Sequence, residues 1–285
     1  GSLAPDAAVQ PCPNNLADLA PFTDLVVDAT QWFSASTHTF AWNVIGQNAC
    51  DQLFLNEGED PSFALLEVST DTTTLTFKPT LQGGYAIDLT ATPTGGGAAS
   101  TCRMNVRAVA PGLRVELCTD HSPVADVDLH LHRPGTTTAW ITTTPGGSTT
   151  NTDDCFFSTC AAGSVPFANW GYGDSALPAC EGTPDGATWQ SNGSCRNPRI
   201  EIDQVQTSGV PEVIAVDVPA NGASYRAMVH YYGHGQSGTL TLHPIVQVYC
   251  GGNLAATYGT APDQLTGFNS PGGTYLGDMW RVADI

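Results

Sequence analysis

Residues 125–133 read Ala-Asp-Val-Asp-Leu-His-Leu-His-Arg. A strict period of two puts Val127, Leu129 and Leu131 on one strand face and Asp126, Asp128, His130 and His132 on the other. Carboxylates two residues apart on one strand face stand about 7 Å from each other and repel, so an acidic and imidazole stripe calls for a cation or for water. The stripe is therefore either a solvated face or one side of a metal site. Calcium fits the acids best, because it takes six to eight hard oxygen ligands from carboxylates and loop carbonyls. Asp126 and Asp128 would anchor such a site, Asp153 and Asp154 of the stretch Asn151-Thr152-Asp153-Asp154 would add to it, and Asp203 and His130 are further candidates. Glu212, just after Pro211, is either a ligand or a cap on local backbone amides. His130 and His132 with His230 or His234 form an alternative zinc set with Asp128 as general base, which would make the chain a metalloenzyme. For His130 and His230 the plainer role is a hydrogen bond within the sheet.

No nucleophile elbow, His-Glu-x-x-His, Walker loop or dinucleotide fingerprint occurs in the 285 residues. A non-catalytic chain is the expectation. The balance of 27 Asp+Glu against 9 Lys+Arg, a net charge of −18, makes nucleic acid and anionic membranes poor partners. A membrane association would have to come through an anchor outside this sequence, and the opening Gly1-Ser2 has the look of a cloning remnant.

The stripe must be positioned by sheets. Short alternating runs, among them Thr39–Ile45, Tyr85–Thr90, Arg103–Val109, Leu113–Leu117, Asp126–His132, Ile214–Val218, Tyr225–Tyr232 and Leu240–Val248, are separated by turn residues such as Gly83-Gly84, Pro145-Gly146-Gly147 and Gly251-Gly252. Helical periodicity is missing, and 30 Gly and 20 Pro suit many turns, so the chain is all-β. A boundary near Ala110-Pro111-Gly112 divides it into residues 1–110 and 113–285, each with its own aromatic core candidates: Trp42 and Tyr85, then Tyr225 and Trp280.

Nine cysteines without a C-x-x-C pair point to disulfides in an oxidising compartment, hence to an extracellular or outer-surface location. Local spacing favours Cys155–Cys160 and Cys180–Cys195. Cys118–Cys250 is a weaker third pair, which leaves one of Cys12, Cys50 and Cys102 over. The stretch from Thr142 to Asn197 is long for a sandwich loop and carries Phe167, Trp170, Tyr172 and Trp189, either as a small local core or as an exposed stacking surface.

Two resemblances add to this. Val26-Val27-Asp28-Ala29, Phe40-Ala41-Trp42-Asn43-Val44, Gly83-Gly84-Tyr85-Ala86-Ile87-Asp88-Leu89-Thr90 and Arg103–Val109 resemble a PKD or immunoglobulin-like module over most of residues 20–109. Gln31-Trp32-Phe33 departs from the small polar loop of that pattern. Asp126–Gly135, Pro211-Glu212-Val213-Ile214 and Ser224–Tyr232, with Asp154-Cys155-Phe156-Phe157, Asn169-Trp170-Gly171 and Trp280–Asp284, resemble a myxobacterial surface-protein β-sandwich domain of unknown function. That domain is similar to the PPC-type accessory domains of secreted peptidases. The resemblances imply an Ig/PKD-like sandwich followed by a jelly-roll or PPC-like sandwich with an insertion at about 142–197. They also imply a bacterial surface binding or adhesion module that meets a protein or glycan ligand, or else an accessory region of a secreted hydrolase.

Overall fold

The structure is a computed structural model that describes residues 11–51, 66–119, 125–138, 140, 151–161, 164, 166–170, 197–203, 211–234, 238–272 and 277–285. It is all-β. The first half holds β1 (Leu25–Asp28), β2 (His38–Gly46), β3 (Leu66–Thr70), β4 (Thr74–Pro79), β5 (Gly83–Pro93) and β6 (Ser100–Ala108). These form two antiparallel three-stranded sheets, β1-β4-β3 and β2-β5-β6. Strand β6 shows why they form: Cys102, Met104, Val106 and Ala108 are buried while Thr101, Arg103, Asn105 and Arg107 face out, the alternation of a half-buried strand. Phe77 and Tyr85 lie at the centre of the core, with the Tyr85 hydroxyl donating to the Leu81 carbonyl at 2.8 Å. Trp42 is only partly buried and packs at the margin.

After Pro111-Gly112 come β7 (Leu113–Cys118), β8 (Ala125–His132), β9 (Asp154–Cys155), a one-turn helix Phe157–Cys160, β10 (Arg199–Ile202), β11 (Glu212–Val216) and β12 (Arg226–His234). They are followed by β13 (Leu240–Leu242), β14 (Ile245–Cys250), β15 (Asn253–Tyr258), β16 (Phe268–Ser270) and β17 (Met279–Asp284). The sheets are β10-β11-β7-β14-β15, β17-β12-β8-β9 and the pair β13-β16. Val115, Leu117, Ile214 and Val248 from the first of these mix with Leu129, Leu131, Val229 and Tyr231 from the second in one apolar cluster. Pro244 splits the run Leu240–Val248, read as one strand in the sequence, because a proline has no N–H for the ladder and restricts the residue before it. Gly251 and Gly252, both at positive φ, turn β14 into β15 with Cys250 opposite Asn253, a two-residue hairpin that demands residues tolerant of the left-handed region.

Strands β7 and β8 are buried on both faces. In β7 the face opposite the apolar cluster carries Arg114, Glu116 and Cys118, and the first half of the chain covers it. Arg114 pairs with Glu116 at 2.6 Å and with Glu201, and its Nη2 donates to the Thr80 carbonyl at 2.9 Å. The Gln82 amide donates to Glu116 and the Cys50 amide to the Gln247 side chain. Burial pushes the Glu116 carboxyl up, with Arg114 opposing; burial and the Glu116 charge raise Asp51 well above the usual range.

Among the described residues three disulfides are formed: Cys12–Cys102, Cys50–Cys118 and Cys155–Cys160. The last agrees with the spacing argument. The Cys118–Cys250 pairing is corrected, and so is the expectation that a first-half cysteine is left over: Cys250 is free and exposed. Register explains it. Cys118 stands opposite Ile245 and Cys250 opposite Leu113, so the two sit at opposite ends of the β7–β14 pair, about 17 Å apart at about 3.4 Å per residue. Cys180 and Cys195 lie outside the described residues. Among the described residues no helix is long and apolar enough to cross a membrane.

Candidate metal centre

The Asp126–His132 stripe is not a solvated face. Asp128 is 4% exposed, His130 0% and His132 1%, and Asp126 alone is half-buried. Strand pairing brings the neighbours in. In an antiparallel ladder directly opposed residues project to the same side, and β12 sets His230 opposite Asp128 while β9 sets Asp154 opposite His132. One face of β12-β8-β9 therefore carries His230, then Asp128, His130 and His132, then Asp154. Aromatic rings from either side of β9 cover it: Phe156, just after β9, stacks on His130 with ring centroids 4.7 Å apart, and Trp140, between β8 and β9, stacks on His132 at 3.5 Å. Cys155–Cys160 ties this cover to itself, and the Trp170 indole N–H donates to the Thr152 carbonyl at 2.8 Å. Trp170 also stacks on Tyr225, as a local core requires; Tyr172 and Trp189 lie outside the described residues.

Glu212 reaches the same region from the other sheet. Strand β9 pairs only Leu131 and His132, so the Leu129 amide is left without a neighbouring strand, and Glu212 Oε2 accepts from it at 2.5 Å. The glutamate thus caps an amide of β8 rather than one beside it in sequence. Its other oxygen, Oε1, is buried with no hydrogen-bond partner.

Two groups of metal-ligand atoms result, each within 4.8 Å of one another: Asp126, Asp128 and Glu212, and Asp128, His130 and His230. Asp128 belongs to both. In the first group burial, then Asp128 and Asp203, push the Asp126 carboxyl up to about 7. Burial and the charges of Asp128, Asp203 and Asp126 hold Glu212 well above the usual carboxylate range, against the pull of the Leu129 hydrogen bond. Among the described residues the charges acting on Asp126 and Glu212 are negative. In the second, His130 Nδ1 lies 2.8 Å from Asp154 Oδ2 and His230 Nδ1 lies 3.7 Å from Asp128 Oδ2. Burial alone would lower His130, but the Asp154 charge and hydrogen bond and the Asp128 charge together raise it.

Of the residues singled out from the sequence, Asp126 and Asp128 converge, and Asp203 adds its charge to the same place. Asp154 holds His130 rather than joining either group. Asp153 turns to Arg133 at 2.9 Å, away from the cluster. His132 is taken up by Trp140 and lies 3.8 Å from Asp154, and His234 Nε2 contacts the Ser270 carbonyl at 2.9 Å, so neither completes a histidine triad. Glu212 was visible in the sequence as a choice between two roles, and its position between the sheets lets it combine the amide contact with a free oxygen. No protein-family model matches the chain, and no curated protein matches it.

Proposed function

We propose that the chain is a non-catalytic binding or adhesion module exported to a bacterial surface, built as an Ig/PKD-like sandwich (1–110) and a PPC-like sandwich (113–285), with calcium as a structural ion. The observation that carries this reading is the meeting of Asp126, Asp128 and Glu212 beside β8, with Glu212 Oε1 buried and unpartnered. A buried carboxylate without a partner is costly, and ionised acids this close repel; a hard dication with several oxygen ligands offsets both. Burial of Asp128 and Glu212 suits an ion that holds the fold rather than one that turns over a substrate. The three disulfides among the described residues accord with export.

The test is a thermal melt of wild type and Glu212→Gln in chelator and in millimolar calcium, with calcium counted by elemental analysis. Mass action predicts a wild-type midpoint that climbs with free calcium and a Glu212→Gln midpoint that does not. A wild-type midpoint indifferent to calcium, with none bound, refutes the ion. Binding to a panel of glycans and surface proteins that survives in the calcium form and fades in chelator supports the module.

A further inference from the structure

We infer that Asp128, His130 and His230 form a second metal site, selective for a transition-metal dication of the zinc type, that adjoins the carboxylate cluster through Asp128. It does not depend on calcium occupying that cluster. The ligand chemistry differs from the neighbouring group: two imidazoles and one carboxylate suit zinc and its relatives, whereas calcium takes oxygen.

Orientation supports the assignment. Asp154 accepts from His130 Nδ1, which turns Nε2 toward the site as the nitrogen where a metal would take the place of a proton. Nε2 is buried in a side chain that is 0% exposed and has no hydrogen-bond partner. A histidine held at one nitrogen by a carboxylate and unpaired at the other is the arrangement in which metal-ligating histidines are found. The Asp128–His230 separation of 3.7 Å is close to the edge of about 3.3 Å that a tetrahedral site with bonds of about 2.0–2.1 Å requires, and the full set lies within 4.8 Å. The three residues come from the central ladder of one sheet, with His230 directly opposite Asp128, so a small closure of side chains suffices.

Charge points the same way. Asp126, Asp128, Asp154, Asp203 and Glu212 are gathered around this face. A dication offsets the negative charge gathered here, and a carboxylate has two oxygens with which to bridge a second. Phe156 and Trp140 close the site from outside, so the ion would be held rather than exposed to substrate.

The experiment is a titration of the chelator-treated full chain with cobalt(II), followed by zinc. One equivalent of cobalt should give the visible absorption of a four- or five-coordinate ion with nitrogen ligands, zinc should abolish it, and millimolar calcium should leave it in place. His130→Gln and His230→Gln should each weaken zinc at least 100-fold while keeping the calcium-dependent melting shift. Glu212→Gln should lose that shift and keep the cobalt spectrum, so failure of one site is distinguishable from failure of the other. X-ray absorption of the zinc-loaded wild type, which needs no variant to fold, should count two imidazoles. A zinc shell without imidazole, or a cobalt spectrum untouched by both histidine variants, overturns the site.

Discussion

His130 is gripped at one nitrogen and bare at the other, and the grip belongs to a residue that touches no candidate ion. Asp154 therefore acts as a positioning residue, and Asp154→Asn should lower zinc affinity about 10- to 100-fold by loosening ring orientation and tautomer. Competition with a chromophoric chelator would measure this; an unchanged affinity would show that packing under Phe156 alone orients the ring. A different acid carries a pH effect. Asp51 is 2% exposed, and burial with the nearby Glu116 raises its pKa well above the ordinary value, against the pull of a backbone hydrogen bond from Asn48. The folded chain thus keeps a proton that the unfolded chain releases near pH 4, so this group makes stability fall as pH rises from there through its folded pKa. Asp51→Asn should flatten that fall. Urea midpoints of wild type and variant across about pH 4–8, at constant metal, should converge toward acid and separate toward neutrality.

The element that decides access to the centre is the short cover made of β9, Phe156 and the helix Phe157–Cys160. It contributes only two residues to the ladder, against eight from β8, and its own disulfide closes a small loop without tying it to the sheet. Its attachment rests on Asp154, the ring stacking and the Arg133 amide, which donates to the Asp153 carbonyl at 2.8 Å. Removal of metal should therefore free the cover before it unfolds the sheets. Hydrogen exchange in chelator should accelerate over residues 151–160 while β7 and β14, buried on both sides, stay protected. Equal acceleration in both places would mean that the ion supports the whole fold.

At the scale of the molecule, the expected boundary at Ala110-Pro111-Gly112 falls between β6 and β7, yet the surface beneath it is a buried ionic layer bridged by Cys50–Cys118. A protease nick at Pro111 should leave two fragments that run together without reductant and separate with it. Fragments that part without reductant would exclude the bridge. Arg114, 1% exposed and paired to Glu116 and Glu201, is central to this layer. Truncating one partner of a buried network strands the others, so Arg114→Ala should cost about 3–5 kcal/mol by denaturant unfolding.

Alternation, turn glycines and the local Cys155–Cys160 spacing are properties of neighbouring residues, which is why the all-β class, most strands and one disulfide were legible in the sequence. The stripe Asp126–His132 was equally plain, since a period of two is local. Its burial was not, because whether a strand face meets water depends on what packs over it, here Phe156 and Trp140. Cys118 and Cys250 looked like partners until the register placed them at opposite ends of β7 and β14. Glu212 and His230 joined the candidate centre only because one sheet faces another and one strand pairs with another in a particular register, distances that no local pattern encodes.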